Sequence, residues 1–258
     1  MDWKALHDQL DRLIRPASRP LGITILAPGE PPPKEALRPQ KFGIRISLCQ
    51  WTTVARRWGR PVAALAAEIN CTPCLAALGL KQLKKLDDLV DYFMDMGYFA
   101  DRQLAMAAAA EMELIPAGDV GGLLMFPLDQ AVADPDVVAI YASPAQVARL
   151  VAGYVYHAGT LVRSASTGFG LSCLSLIKPH WTGKATIVHP GRGERVLAGT
   201  DEGELVFCCP AKELEQLVDG LQQTHKHGSR YPIQSYMLYE PPLLPSMKTL
   251  DDKLGISE

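Results

Sequence analysis

Cysteines are the side chains of this sequence with the most chemical potential. Cys71 and Cys74 form a Cys-x-x-Cys pair in front of the apolar run Leu75 to Leu80, which places both thiols at the head of a predicted helix. Two thiols with this spacing can face one metal site. Cys49 lies upstream and Cys173 far downstream. A site of three or four thiolates forms if the fold brings these segments together.

The Cys-x-x-Cys pair is compatible with four kinds of site. Its spacing suits zinc and iron–sulfur clusters alike. A helix start also lowers the pKa of a thiol, as in a thioredoxin-like redox pair, although no thioredoxin-type strand precedes it. Ordinary buried thiols are the fourth interpretation. Cys49 and Cys173 are isolated ligands, and this favours a cluster assembled from distant segments over a zinc ribbon.

One further cysteine pair, Cys208-Cys209, follows a strand-like sequence. Adjacent side chains on a strand point to opposite faces of the sheet, so at most one of these thiols can join a shared site. We therefore interpret both as packing residues of a strand.

Composition limits the class of protein. The chain has 258 residues, of which 48% are apolar, and a formal net charge of -2 without a long basic run. This balance argues against nucleic acid or an anionic membrane as the main partner. The N-terminal helix expected within residues 1–20 is amphipathic and no uninterrupted apolar stretch approaches a membrane span, so we expect a cytoplasmic protein. In that reducing compartment the six cysteines should be thiols, metal ligands or catalysts, and not disulfides.

Alternation and helical spacing predict a mixed α+β fold in a single domain over residues 1–258. A strand over Phe42 to Leu48 would place Cys49 at a strand-to-helix junction, before a helix that runs through Trp58. The other predicted elements are a strand at 22–26, helices at 83–96 and 101–112, and a proline-rich C-terminal extension at 240–258 without regular structure.

Two later segments share a strand-proline-helix pattern, with Pro144 and Pro210 at the presumed helix starts. Proline suits the first helical turn because its missing N–H has no partner there. The pattern predicts an internal repeat whose two units pair around a pseudo-twofold axis, although any α/β protein reuses such junctions.

Four other residues are candidates for acid–base or anion-binding roles. His189 precedes a Gly-Arg-Gly-Glu-Arg turn whose Arg192 and Arg195 suit bidentate binding of a carboxylate or phosphate. Glu68 lies three residues before Cys71 and suits local acid–base chemistry or helix capping. Solvated or structural roles compete at each position. The glycines near Cys173 lack the remainder of a dinucleotide fingerprint, and no hydrolase elbow or phosphate-binding loop is present.

Several short sequence motifs follow one another in a fixed order along the chain. They are Arg38-Pro39, the segment 42–48, Cys49-Gln50, Ala55-Arg56, Glu68 before Cys71, Ala77-Leu78-Gly79, Cys173, the turn 191–195, and the segment 204–210, which begins Glu-Leu-Val-Phe and ends at Pro210. In this order they resemble domain-of-unknown-function family 169 of bacteria and archaea, and the resemblance covers roughly residues 8 to 235.

This resemblance implies conserved cysteines that suggest an iron–sulfur site, and it implies no particular reaction. Cys49, Cys71 and Cys173 fit the cysteine motifs of the family. Cys74 stands where the family more often has a small residue.

The leading hypothesis is a cytoplasmic enzyme with a [4Fe–4S] cluster bound by Cys49, Cys71 and Cys173, and with Cys74 as a fourth candidate ligand. The cluster would act as a Lewis acid in a hydrolytic or elimination step, or as a reductant supplied by an electron donor. A small aromatic or oxygenated substrate would lie in a pocket formed by Trp51 and the two arginines of the turn. The alternatives are a zinc-stabilised binding module, an electron carrier, or a ligand-binding protein with buried thiols. A homodimer is expected as the commonest oligomer.

Overall fold

The computed structural model describes residues 1–170, 172–230 and 245–255. Its strands are β1 (Leu21–Leu26), β2 (Val62–Leu65), β3 (Gly122–Pro127), β4 (Val137–Ala142), β5 (Thr186–Val188) and β6 (Leu205–Pro210). They form one sheet in the order β2-β3-β1-β4-β6-β5, in which neighbouring strands are antiparallel.

Helices cover both faces of this sheet. The α-helices of the described residues are α1 (Trp3–Ile14), α2 (Leu48–Trp58), α3 (Thr72–Ala77), α4 (Leu86–Asp95), α5 (Arg102–Glu111), α6 (Pro144–Ala158), α7 (Ser172–Thr182), α8 (Arg192–Leu197), α9 (Leu214–Lys226) and α10 (Pro245–Leu254). This arrangement confirms the predicted α+β class. In the described part of the chain, no helix combines the length and the apolar character needed to cross a membrane.

The two faces of the sheet receive different helices. Side chains alternate along each strand, so each face has its own core. Helices α1, α6 and α9 pack on one face around Val138, Ile140 and Phe207. Helices α2, α3 and α7 pack on the other. Cys208 lies in the second core and Cys209 in the first, both fully buried, as predicted for adjacent residues of a strand.

The two strand-proline-helix segments pair with each other, as the repeat predicts. Strands β4 and β6 are antiparallel neighbours over six residue pairs, and α6 lies against α9. A Cβ atom added to Gly220 would stand 2.0 Å from the carbonyl oxygen of Gly153, so this contact depends on glycine. Pro144 occupies the first turn of α6. Pro210 instead ends β6, and a 3-10 turn separates it from α9.

Helices α4 and α5 form a hairpin with its own small core around Leu89, Phe93 and Ala105. The hairpin joins the body next to the end of α3, where the Ile115 N–H donates to the Ala77 carbonyl over 3.0 Å. Both helices were expected from the sequence, with slightly longer limits. The hairpin contributes side chains to the cavities described below.

Two predictions of local structure were wrong. The segment 42–48 is not a strand, because Phe42 belongs to a 3-10 turn, Gly43 has a φ of 65°, and only Ile46 forms an isolated bridge, with Ile69. Cys49 therefore lies within the first turn of α2, after a capping box of Ser47 and Gln50.

The C-terminal extension was expected to lack regular structure, yet α10 begins at Pro245, because proline suits a first helical turn. The remainder of that extension, 240–244 and 256–258, lies outside the described residues. Helix α10 has no buried side chain.

Candidate functional site

Four cysteines from three separate segments line one cavity of about 240 Å³. Cys49 lies in the first turn of α2, Cys71 is the N-cap of α3, Cys74 lies in the first turn of α3, and Cys173 lies near the start of α7. The fold thus brings together all four cysteines that the sequence singled out. Helix N-termini carry partial positive charge, which favours thiolates and other anions.

The four thiols differ in burial. Cys49, Cys71 and Cys173 are partly exposed, whereas Cys74 is only 2% exposed and packs in the core. The Cys173 thiol and burial together raise the pKa of Cys74 well above its usual range. Cys74 therefore remains a neutral thiol that can donate a hydrogen bond to the Cys173 sulfur.

Burial also raises the pKa of Cys49 and of Cys71. The pKa of Cys49 rises to about 11, mainly through burial, against a lowering contribution from the hydroxyl of Ser47. That hydroxyl oxygen lies 3.1 Å from the Cys49 sulfur. Burial raises the pKa of Cys71 as well. Thiols that resist ionisation alone become good ligands when a cation compensates the charge, because metal coordination deprotonates a thiol.

The four thiols are a ligand type that binds both zinc and iron–sulfur clusters. Across residues 1–170, 172–230 and 245–255, no three His, Cys, Asp or Glu side chains are arranged around a single ion. A mononuclear zinc site requires such an arrangement. A cubane cluster places a different requirement on the protein, because each thiolate binds its own iron.

Aromatic side chains form one wall of the thiol cavity. Tyr98 stacks on Phe169 with 4.2 Å between ring centroids and 10° between ring planes. Tyr92 lines the same wall, and burial, followed by interaction with the Tyr98 hydroxyl, raises its pKa to about 12. The wall comes from the α4–α5 hairpin and from the segment just before Cys173, so the hairpin lies over the thiols.

Glu194 is a cavity residue that the sequence did not reveal. It lines the cavity and is only 3% exposed. The Tyr141 hydroxyl donates to one carboxylate oxygen over 3.0 Å, and the Gly191 N–H donates to the other over 3.3 Å. Its charge contributes to the raised pKa of Cys49. A single Glu in a glycine-rich turn has no spacing signal by which to find it.

A buried ion pair packs against Tyr141, the residue whose hydroxyl donates to Glu194. The Arg56 guanidinium lies 4.1 Å from the centre of the Tyr141 ring and forms an ion pair of 2.8 Å with Glu204. Arg56 is fully buried and Glu204 nearly so. This network fixes the tyrosine hydroxyl that holds the Glu194 carboxylate.

The predicted arginines occupy different positions. Arg192 is exposed and lines the thiol cavity. Arg195 instead donates to the backbone carbonyls of Asp201 and Glu204, so its guanidinium supports the turn after α8. Of the two, Arg192 is the one placed to hold a ligand.

Three other predicted site residues lie outside the thiol cavity. Trp51 is buried, and its indole N–H donates to the Ala63 carbonyl over 3.0 Å. Glu68 is buried, pairs with Arg38 and accepts the Leu65 N–H, which is the capping role considered for it. His189 lines a neighbouring cavity. The first two therefore have packing and capping roles.

The comparisons with known proteins identify one family. The sequence matches, over residues 9–220, the family described as "Uncharacterised ArCR", domain-of-unknown-function family 169. No curated protein and no solved structure matches the chain.

Proposed function

This chain belongs to domain-of-unknown-function family 169, and we propose that it is an iron–sulfur enzyme whose [4Fe–4S] cluster is held by Cys49, Cys71 and Cys173. The single observation that supports this proposal is the convergence of cysteines from three distant segments on one cavity. Three of these thiols are partly exposed to that cavity and lie at helix N-termini. When bound by three thiolates, a cluster supplies a Lewis-acidic iron or an electron to a small substrate.

Cys74 has a different role in this proposal. Its side chain is only 2% exposed, whereas the other three thiols are partly open to the cavity, so in this proposal Cys74 stays protonated and donates a hydrogen bond to the Cys173 sulfur. Hydrogen bonds to the sulfurs tune the reduction potential of a cluster. Cys74 is thus a positioning residue for Cys173 and leaves the fourth coordination position free.

The other cavity residues act on the substrate. Arg192 holds the negative charge that develops on a substrate oxygen or leaving group during the reaction, since a guanidinium pairs with oxyanions. Glu194, held by the Tyr141 hydroxyl and the Gly191 N–H, accepts or returns a proton at its carboxylate. The stacked Tyr98 and Phe169 keep water from that side of the cavity.

Anaerobic purification and reconstitution test the cluster. We expect about four iron and four inorganic sulfide per chain and a broad visible absorption band that bleaches with dithionite. Cys71→Ser and Cys173→Ser should lose most of the iron, whereas Cys209→Ala, which changes a buried thiol on the opposite face, should retain it. A colourless protein with stoichiometric zinc would contradict the proposal and support the zinc-stabilised module instead.

Cys74→Ala separates three-thiolate from four-thiolate ligation. We expect this variant to keep its iron with a shifted reduction potential. Cyanide should change the electron paramagnetic resonance spectrum of the reduced wild type, because it binds a free coordination position. Loss of all iron from Cys74→Ala, with a spectrum insensitive to cyanide in the wild type, would identify a four-thiolate electron carrier.

A further inference from the structure

A second cavity of about 570 Å³ lies next to the thiol cavity. The two cavities share Phe169, Gly170 and Ser172 as a common wall. Ligand sites usually measure about 300–1,000 Å³. The thiol cavity, at about 240 Å³, falls below this range even before a cluster takes its share. A substrate with more than a few atoms must therefore place its body in the larger cavity.

The larger cavity combines aromatic surfaces with polar groups. Phe99 and Phe169 meet edge to face with 5.6 Å between their centroids, and both line the cavity. Such a corner offers one ring face and one ring edge to a planar ligand. Hydroxyl groups, including those of Thr167 and Ser175, line other parts of the cavity.

The basic side chains that line the larger cavity are Lys178 and His189, and the lining also includes one acid, the exposed Glu111. The Lys178 ammonium forms an ion pair of 2.8 Å with Glu113, whose side chain is 75% exposed. Solvent screens an ion pair whose carboxylate is this exposed, so Glu113 holds Lys178 only weakly. A ligand carboxylate can therefore take the place of Glu113 beside Lys178 at little cost.

We infer that the larger cavity binds a small aromatic carboxylate. Its ring packs in the corner of Phe99 and Phe169, its carboxylate pairs with Lys178, and its oxygen substituents meet the hydroxyl groups. The ring then lies against the wall shared with the thiols. This inference names the substrate class of the proposed function and rests on that function only for the reaction, not for binding.

Fluorine NMR with 4-fluorobenzoate and calorimetry with benzoate test the inference on metal-free and cluster-loaded protein. We expect both forms to bind benzoate, with benzyl alcohol and cyclohexanecarboxylate at least about tenfold weaker, because each lacks one of the two recognised groups. A wild-type protein that binds none of these probes, or that binds benzyl alcohol as well as benzoate, would overturn the inference.

Two substitutions locate the bound probe. Lys178→Met should weaken benzoate about tenfold, whereas Lys212→Met, an exposed lysine of the 3-10 turn before α9, should leave it unchanged. Phe99→Leu should reduce the preference of the wild type for benzoate over cyclohexanecarboxylate. Circular dichroism checks that each variant is folded. Equal benzoate affinity in Lys178→Met and in the wild type would overturn the inference.

Iron content separates this inference from the proposed function. Benzoate binding by a chain that takes up no iron would leave the inference intact and contradict the cluster. A chain with a complete cluster and no affinity for benzoate would support the proposed function and overturn the inference. In cluster-loaded protein, benzoate should also perturb the electron paramagnetic resonance spectrum, because the probe lies against the wall that separates the larger cavity from the thiol cavity.

Discussion

The two faces of the sheet are packed in different ways. Under α1, α6 and α9, which we call the closed face, aliphatic and aromatic side chains fill most of the space, the buried Arg149 donates to the Leu221 carbonyl, and glycines let α6 and α9 touch. Under α2, α3 and α7, which we call the open face, the same sheet faces four thiols, a buried Arg–Glu pair and the wall of two cavities. Strand β6 belongs to both faces, with Cys209 on the first and Cys208 on the second.

This difference indicates that one face of the sheet mainly stabilises the fold and that the other contains the candidate site. Cavities and buried charges reduce stability, since unfilled space loses contacts and buried charges lose hydration. The closed face contains the long helices that compensate this cost. Substitutions on the closed face should therefore change stability without changing iron content. Substitutions of the cavity-lining residues on the open face should change iron content with a smaller effect on stability.

The largest expected exception is Arg56→Met on the open face. Removing Arg56 takes away the cation that lies 2.8 Å from the buried Glu204 carboxylate and leaves the partly exposed Arg57 at 3.5 Å. Breaking a buried pair costs about 3–5 kcal/mol, and we expect a value near the lower end because Arg57 remains. Urea denaturation should show this loss. Arg60→Met is the control, because Arg60 is exposed after the end of α2 and its loss should cost less than about 0.5 kcal/mol. Equal effects of the two variants would show that the buried pair does not stabilise the open face.

Gly220→Ala tests the closed face. The new Cβ would meet the Gly153 carbonyl at 2.0 Å, so α6 and α9 must separate. Such overpacking costs about 1–3 kcal/mol, measured by urea denaturation, with iron per folded chain unchanged. Gly203→Ala, where a Cβ meets open space, should change stability by less than about 0.5 kcal/mol. A drop in iron content in Gly220→Ala would show that the two faces are coupled.

Cys49 should react slowly in the metal-free protein. Its raised pKa, about 11, leaves a thiolate fraction near pH 8 that is roughly a hundredfold smaller than in an exposed cysteine. The thiolate of higher pKa is about tenfold more nucleophilic, so the net rate is about tenfold lower. Reaction with an aromatic disulfide reagent, located by peptide mass spectrometry, should be about tenfold slower than in the urea-unfolded chain. Equal rates would contradict the burial of this thiol.

The same shift has a consequence for stability. Because folding raises the Cys49 pKa, the neutral thiol contributes stability below its ordinary pKa, and this contribution is lost as the pH rises towards about 11.

The smallest expected effect belongs to the aromatic wall. Tyr98→Leu removes the stack on Phe169, and such pairs are worth about 0.5–1.5 kcal/mol beyond their buried area. Hydrogen exchange should accelerate in α4 and α5 and remain unchanged in the sheet. Tyr156→Leu, at a half-exposed tyrosine of α6, is the control and should leave the hairpin unaffected. Faster exchange throughout the chain would show that the hairpin is an integral part of the core.

The sequence predicted the cysteine set because thiols are rare and their spacing is informative. It also predicted the opposite orientations of Cys208 and Cys209, since alternation along a strand is local. It misplaced the segment 42–48, where alternating residues imitate a strand but Gly43 turns the chain. A local pattern cannot reveal whether a neighbouring strand is present to pair with.

Residues that depend on distant contacts were beyond the reach of the sequence. Glu194 is held by Tyr141, 53 positions away, and Tyr98 finds its partner in Phe169. Trp51 was placed in the substrate pocket, but its N–H donates to the Ala63 carbonyl in the core. In each case the tertiary fold determines which residue is the contact partner, and the residue type alone does not identify it.

The root of the α4–α5 hairpin has a consequence for how such a chain can vary. Its two ends meet beside α3, where the Ile115 N–H reaches the Ala77 carbonyl and Gly79 lies against the Pro116 backbone. An insertion whose ends touch can be lengthened, shortened or exchanged without moving the scaffold beneath it. The hairpin is thus a replaceable module, and exchanging it would alter which molecules reach the thiols while the thiols themselves stay in place.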